Sequence, residues 1–121
     1  MREIRPVHLH ESGARVVNLH QGLRFLIRNH PGISDNDRES FQQQLASDRT
    51  ARTFGHATAH QVGIWQKQLK FRPDLPQDLK DRLNNLPIST FTEMGNGDVD
   101  ELTAEALNWL LRKLGAFNSP G

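Results

Sequence analysis

Apolar residues recur at spacings of three and four in several separate stretches of this chain, while strict alternation of apolar and polar residues is almost missing. The clearest stretch follows the polar turn Asn96-Gly97-Asp98: Val99, Leu102, Ala106, Leu107, Leu110, Leu111 and Leu114 share one face of a predicted helix ending at Gly115. An earlier stretch from Ala14 carries Val16, Leu19, Leu23, Leu26 and Ile27, with Ser12 as its expected N-cap and Asn29-His30-Pro31-Gly32 as its stop. Val17 and Phe25 lie off that stripe, so this helix is expected to be covered on more than one side. A third helix is expected from the Phe54-Gly55 turn to about Leu69.

Two weaker patterns lie between these. Ser34-Asp35-Asn36-Asp37 opens a polar helix over Asp35 to Arg49, whose apolar residues Phe41 and Leu45 form one narrow stripe, and Gln42-Gln43-Gln44 reads as its solvated face. Leu79, Leu83 and Leu86 mark a short helix from Pro76 to Asn85, closed by Pro87, with a loop over 88–96. The expected fold is all-α, with three principal helices and two inserted ones. Residues 1–12 read as an irregular leading segment, 13–117 as one domain, and 118–121 as a linker-like tail.

The two turn-helix stretches are related. At an offset of 45 residues Phe54 meets Val99, Thr58 meets Thr103, Ala59 meets Ala104, Val62 meets Leu107 and Trp65 meets Leu110. One such unit cannot bury its own apolar face, so the two are expected to close on each other and on the helix from Gly13 to Ile27.

Composition narrows the partners. Net charge is +1 with acids and bases interspersed, which gives no electrostatic case for nucleic acid. No stretch is long and apolar enough for membrane insertion, and cysteine is absent, which removes disulfides and thiolate chemistry. The first residues hold no apolar run of the signal-peptide kind; the expectation is synthesis in the cytoplasm, with export only as part of a larger protein or assembly.

Phe54-Gly55-x-x-Thr58-x-x-x-Val62-x-x-Trp65-Gln66, Gly97-x-Val99-Asp100-x-x-Thr103-x-x-Ala106-Leu107 and Val16-Val17-Asn18-Leu19-His20-Gln21-Gly22-Leu23 together resemble the small bacterial peptidoglycan-binding domain, a three-helix module. The resemblance covers about residues 13–30, 52–67 and 96–114, and 31–51 and 68–95 read as insertions. It is closest to versions found in large multidomain proteins of the toxin-complex type and other secreted factors. Two departures stand out: Ala51-Arg52 replaces the family's Asp-Gly in the first turn, and His20 stands where Gln is usual. The resemblance implies a noncatalytic module that binds peptidoglycan or a cell-wall fragment in a shallow groove beside the helix-starting turns. It directs attention to Arg52, Thr53, Gly55 and His56 in one turn and Asn96, Gly97 and Asp98 in the other, with Trp109 as an adjacent platform. The other reading is a protein–protein or structural module of a toxin or secretion assembly, binding another subunit and no glycan. Insertions packed over the two turns would favour that second reading.

The remaining chemistry is weighed against plainer roles. Thr58 and Thr103 are expected to satisfy helix-start amides. Trp65 is expected in the core; Trp109, off the main stripe, fits either edge packing or ligand contact. His56 and His60 share a helical face, but zinc would need a third ligand, and a surface pair is the expectation, with no metal and no cofactor. Asp98, Asp100, Glu101 and Glu105 belong at a helix start for dipole reasons, so no catalytic residues are assigned.

Overall fold

A computed structural model of the 121-residue chain describes residues 1–84 and 97–117. The expected Leu86 and Pro87 positions, the loop over 88–96 with Asn96, and the tail over 118–121 lie outside the described residues. The fold is all-α. Among the described residues there are five helices and no strand: α1 (Ala14–Asn29), α2 (Asp35–Ala51), α3 (His56–Lys70), α4 (Gln77–Asn84) and α5 (Glu101–Lys113). Helices α1, α3 and α5 contact one another pairwise, α2 packs on α1 and α3, and α4 packs on α3 and α5.

One core joins these elements. Leu19, Leu23, Leu26 and Ile27 of α1, Val62 and Trp65 of α3, and Leu107, Leu110 and Leu111 of α5 are all buried in it. Each side chain of this kind contributes about 1.5–3 kcal/mol through loss of contact with water. Leu45 gives α2 its hold on the core, with Phe41 half-buried beside it, and Leu79 and Leu83 do the same for α4. The glutamine run is not wholly a solvated face: Gln44 Oε1 accepts a hydrogen bond of 3.0 Å from Nε2 of the buried Gln61.

Helix ends are closed by identifiable groups. Ser34 Oγ accepts from Asp37 N at the start of α2. Arg38, one turn into α2, donates to the carbonyls of Ile27, Arg28 and His30 at 2.9, 2.7 and 3.0 Å, satisfying acceptors that the end of α1 leaves over. Ser12 is not the cap of α1. The N-cap is Gly13, without a side-chain bond, and Ser12 instead forms an isolated antiparallel bridge with Thr53.

The leading segment is irregular but belongs to the packed unit. Ile4 and Val7 are buried, and the Asn108 side chain pairs with both backbone groups of Ile4, accepting from its N–H at 2.7 Å and donating to its carbonyl at 2.8 Å. Val7 and Val99 exchange backbone hydrogen bonds of 2.9 and 3.2 Å. Val99 therefore stands before α5 in extended backbone rather than on the helical stripe. Residues 10 and 11 pair similarly with Phe54: His10 N donates to the Phe54 carbonyl, and Phe54 N to the Glu11 carbonyl. The same six-residue run thus ties down both turns.

Candidate functional site

The 45-residue repeat extends to the backbone of the two turns. Arg52 and Gly97, equivalent by that offset, both have left-handed φ, +55° and +78°. Phe54 and Val99 follow, each buried and paired with the leading segment. Gly55 and Asp100 are then the N-caps of α3 and α5, and Thr58 and Thr103 are both buried in the first helical turn. Each threonine hydroxyl meets a polar side chain from an earlier helix: His20 Nε2 lies 2.8 Å from Thr58 Oγ1, and Gln66 Nε2 donates to Thr103 Oγ1 at 3.0 Å.

The amides of these turns are engaged within the protein. Asp48 of α2 accepts from Gly55 N, Thr58 N and Thr58 Oγ1 at 3.1, 2.9 and 2.8 Å. In the second turn Gln66 Oε1 accepts from Gly97 N at 2.9 Å, and Asp100 Oδ1 accepts from Thr103 N at 2.7 Å. A groove that reads a ligand through the Gly55, Gly97 and Thr103 amides would have to break these bonds. Of the two presumed insertions, residues 31–51 reach the first turn through Asp48; the second turn is covered by the leading segment and Gln66.

Close packing fixes both glycines. A Cβ at Gly55 would fall 2.5 Å from Asp48 Oδ1, and one at Gly97 would fall 2.7 Å from the Ala59 carbonyl oxygen. The second contact is with backbone, so nothing flexible can give way.

The structure brings Arg52, Thr53, Gly55 and His56 together in one turn, and joins that turn to Gly97 and Asp98 through residues 7–12. His8 Nδ1 lies 2.5 Å from Asp98 Oδ1, and the His10 ring stands edge-on to His56 at 6.3 Å. Asp98 holds the His8 pKa above its ordinary value, first through that hydrogen bond and then through its charge. Trp109 is not part of this assembly. It lies nine residues beyond the α5 N-cap, roughly 14 Å along the helix. Its ring is half-buried against the core, with Arg72 and Lys113 at 5.7 and 5.4 Å from its centroid and Asp74 bound to both cations. His56 and His60 are both exposed, and Trp65 is buried with its ring against His30. Glu105 pairs with Arg82 of α4 at 2.9 Å.

A second feature adjoins the first turn. Between α1 and the end of α2 lies a cleft of about 230 Å³, lined by Val17, His20, Gln21, Arg24, Arg49 and Arg52. None of the three guanidinium groups has a hydrogen-bond or ion-pair partner among the described residues, and no acid lines the cleft. His20 is buried, and its Nδ1 has no partner among the described residues. Burial, followed by the charge of Arg49, lowers the His20 pKa, while Asp48 opposes that shift. Arg52 and His20 were legible as departures from the resemblance; Arg24 and Arg49 were not, because the convergence of these residues depends on how α2 packs on α1.

No family model, no curated protein and no solved structure matches this chain. No helix among the described residues is long and apolar enough to cross a membrane.

Proposed function

We propose that this chain is a noncatalytic binding module of peptidoglycan-binding type, taking cell-wall polymer as its ligand through side chains rather than turn amides. The observation that supports the reading is the equivalence of the two turn-helix units: matched left-handed residues, matched buried Phe54 and Val99, and matched buried threonines, all at the 45-residue offset. Recognition then falls to groups that the turns leave outward, chiefly Arg52 and His56, both exposed. The test is co-sedimentation of the purified chain with insoluble peptidoglycan. Retention above that of an unrelated helical domain of similar charge is expected, and equal retention rejects the reading.

A protein-binding or structural role in a larger assembly is the second reading, favoured by one observation: Asp48 and Gln66 already occupy the turn amides that a glycan groove would use. Under it the chain stays in the supernatant with cell wall and co-purifies with a fixed subunit.

A further inference from the structure

We propose that the cleft between α1 and the end of α2 binds a phosphoryl group, held by Arg24, Arg49 and Arg52 over the ring of His20. This site shares Arg52 with the proposed cell-wall surface, but it is tested with soluble ions and its outcome does not rest on that reading. Three guanidiniums that have no partner among the described residues line one small cleft, and no described acid lines it. Asp48 is the negative group that acts on His20, but its Oδ2 is already committed to three donors of the first turn. A carboxylate offers one planar edge, which a single guanidinium fork satisfies; a phosphoryl dianion offers three terminal oxygens and the charge to match several forks. A volume of about 230 Å³ suits one such group rather than a sugar chain, being below the roughly 300 Å³ at which pockets for whole drug-sized ligands begin. Arg24 and Arg52 are exposed, so the remainder of a larger ligand can extend into water.

Two details point to a ligand rather than to charges that merely complement a helix end. Arg52 occupies a left-handed conformation, φ +55° and ψ +41°, where its repeat partner is glycine. A side chain is held there against the backbone's preference, and that side chain lines the cleft. The second detail is the His20 ring. Thr58 Oγ1 donates to Asp48, so it accepts from His20 Nε2–H, which leaves Nδ1 as a buried acceptor without a donor. Burial, and after it the charge of Arg49, disfavours a proton on Nδ1, with Asp48 opposing them. A dianion among Arg24, Arg49 and Arg52 reverses that field and favours a proton on Nδ1, so binding is coupled to proton uptake.

The test titrates the full chain with inorganic phosphate, glycerol phosphate and acetate. Readouts are the His20 imidazole resonances and calorimetry in two buffers of different ionisation enthalpy near pH 6.5. Phosphate and glycerol phosphate are expected to shift His20 saturably, with proton uptake by the protein once the protons that each ligand gives up on becoming a dianion are subtracted; the tighter of the two tells whether the cleft takes the free ion or the end of a larger molecule. Acetate is expected to bind about tenfold more weakly or worse. R52G and R24Q are each expected to lose about tenfold in phosphate affinity. R52G should do so with an unchanged or higher melting temperature, because glycine suits the left-handed position. R5Q, altering an exposed arginine outside the cleft, should bind as the parent does. Wild-type affinity in both R52G and R24Q, acetate binding as tightly as phosphate, or no saturable change at His20 would each overturn the proposal.

Discussion

At residue 52 the first turn holds an arginine in the left-handed conformation that the second turn gives to Gly97. Three residues later the contrast reverses, for Asp100 caps its own helix while Gly55 has no side chain to do so. The Thr103 amide is met from within its own turn, and the equivalent Thr58 amide is met by Asp48, from a different helix. The second turn therefore supplies its own helix cap, while Gln66 of α3 holds its Gly97 amide and the Ala59 backbone presses against it. The first turn depends on α2, and that dependence draws Arg49 and Arg52 beside Arg24. The two units thus differ in the source of the cap: one carries its own, and the other borrows it from α2 beside a charged cleft.

Exchanging features between the turns tests this contrast. The largest effect is expected from giving the second turn the first turn's residue. G97R combines left-handed strain with a clash against the Ala59 carbonyl, and should cost about 3 kcal/mol in urea-unfolding stability; a loss no larger than that of an exposed substitution would show that the second turn is not locked. D48A comes next, at about 2 kcal/mol, because it leaves the donors of Gly55 and Thr58 unmet. D100A should cost about 1 kcal/mol, as loss of one self-supplied cap does. The sharper form is D48A combined with G55D: the aspartate then has the room that Asp48 denied it, and the double variant should recover about 1 kcal/mol over D48A alone. No recovery would mean that Asp48 does more than cap α3.

The smallest effect is a difference in pH response. His20, tied to the first turn, has a lowered pKa, as does His30, through burial and then the charges of Arg72 and Arg38. Below the ordinary histidine value of about 6.5 the unfolded chain takes up these protons first, so stability falls as pH drops from 7 to 5. His8, tied to the second turn through Asp98, is raised. Its contribution is present below that value and is lost as pH rises through the folded pKa, and at so exposed a site it is small. Urea unfolding of H8A and the parent at pH 5 and pH 8 should differ more at the lower pH; a larger difference at pH 8 would contradict the Asp98 pairing.

How much of this was legible in the sequence differs by element. The stripes of α1, α3 and α5 predicted the core because apolar spacing reports directly on which face is buried. Ile4 and Val7 carried no such signal: two apolar residues in a polar segment have no period, and their burial depends on Asn108 and Val99 at the far end of the chain. Asp48 looked like any acid on a polar helix, and only the length and docking of α2 place it over Gly55. Gly55 and Gly97 do stand in turns that lead into helices, but a shallow ligand groove was expected beside their backbone. Side chains from elsewhere in the fold reach them first.

The pairing of Asn108 with Ile4 spans 104 residues. During synthesis the ribosome releases Ile4 and Val7 long before α5 exists to shelter them, so these two side chains stay wet until α5 emerges. Closure is then a late event that fastens residues 4 and 7 to residues 108 and 99 at once, and any nascent form stopped short of Asn108 carries an unfastened leading segment that a protease can seize.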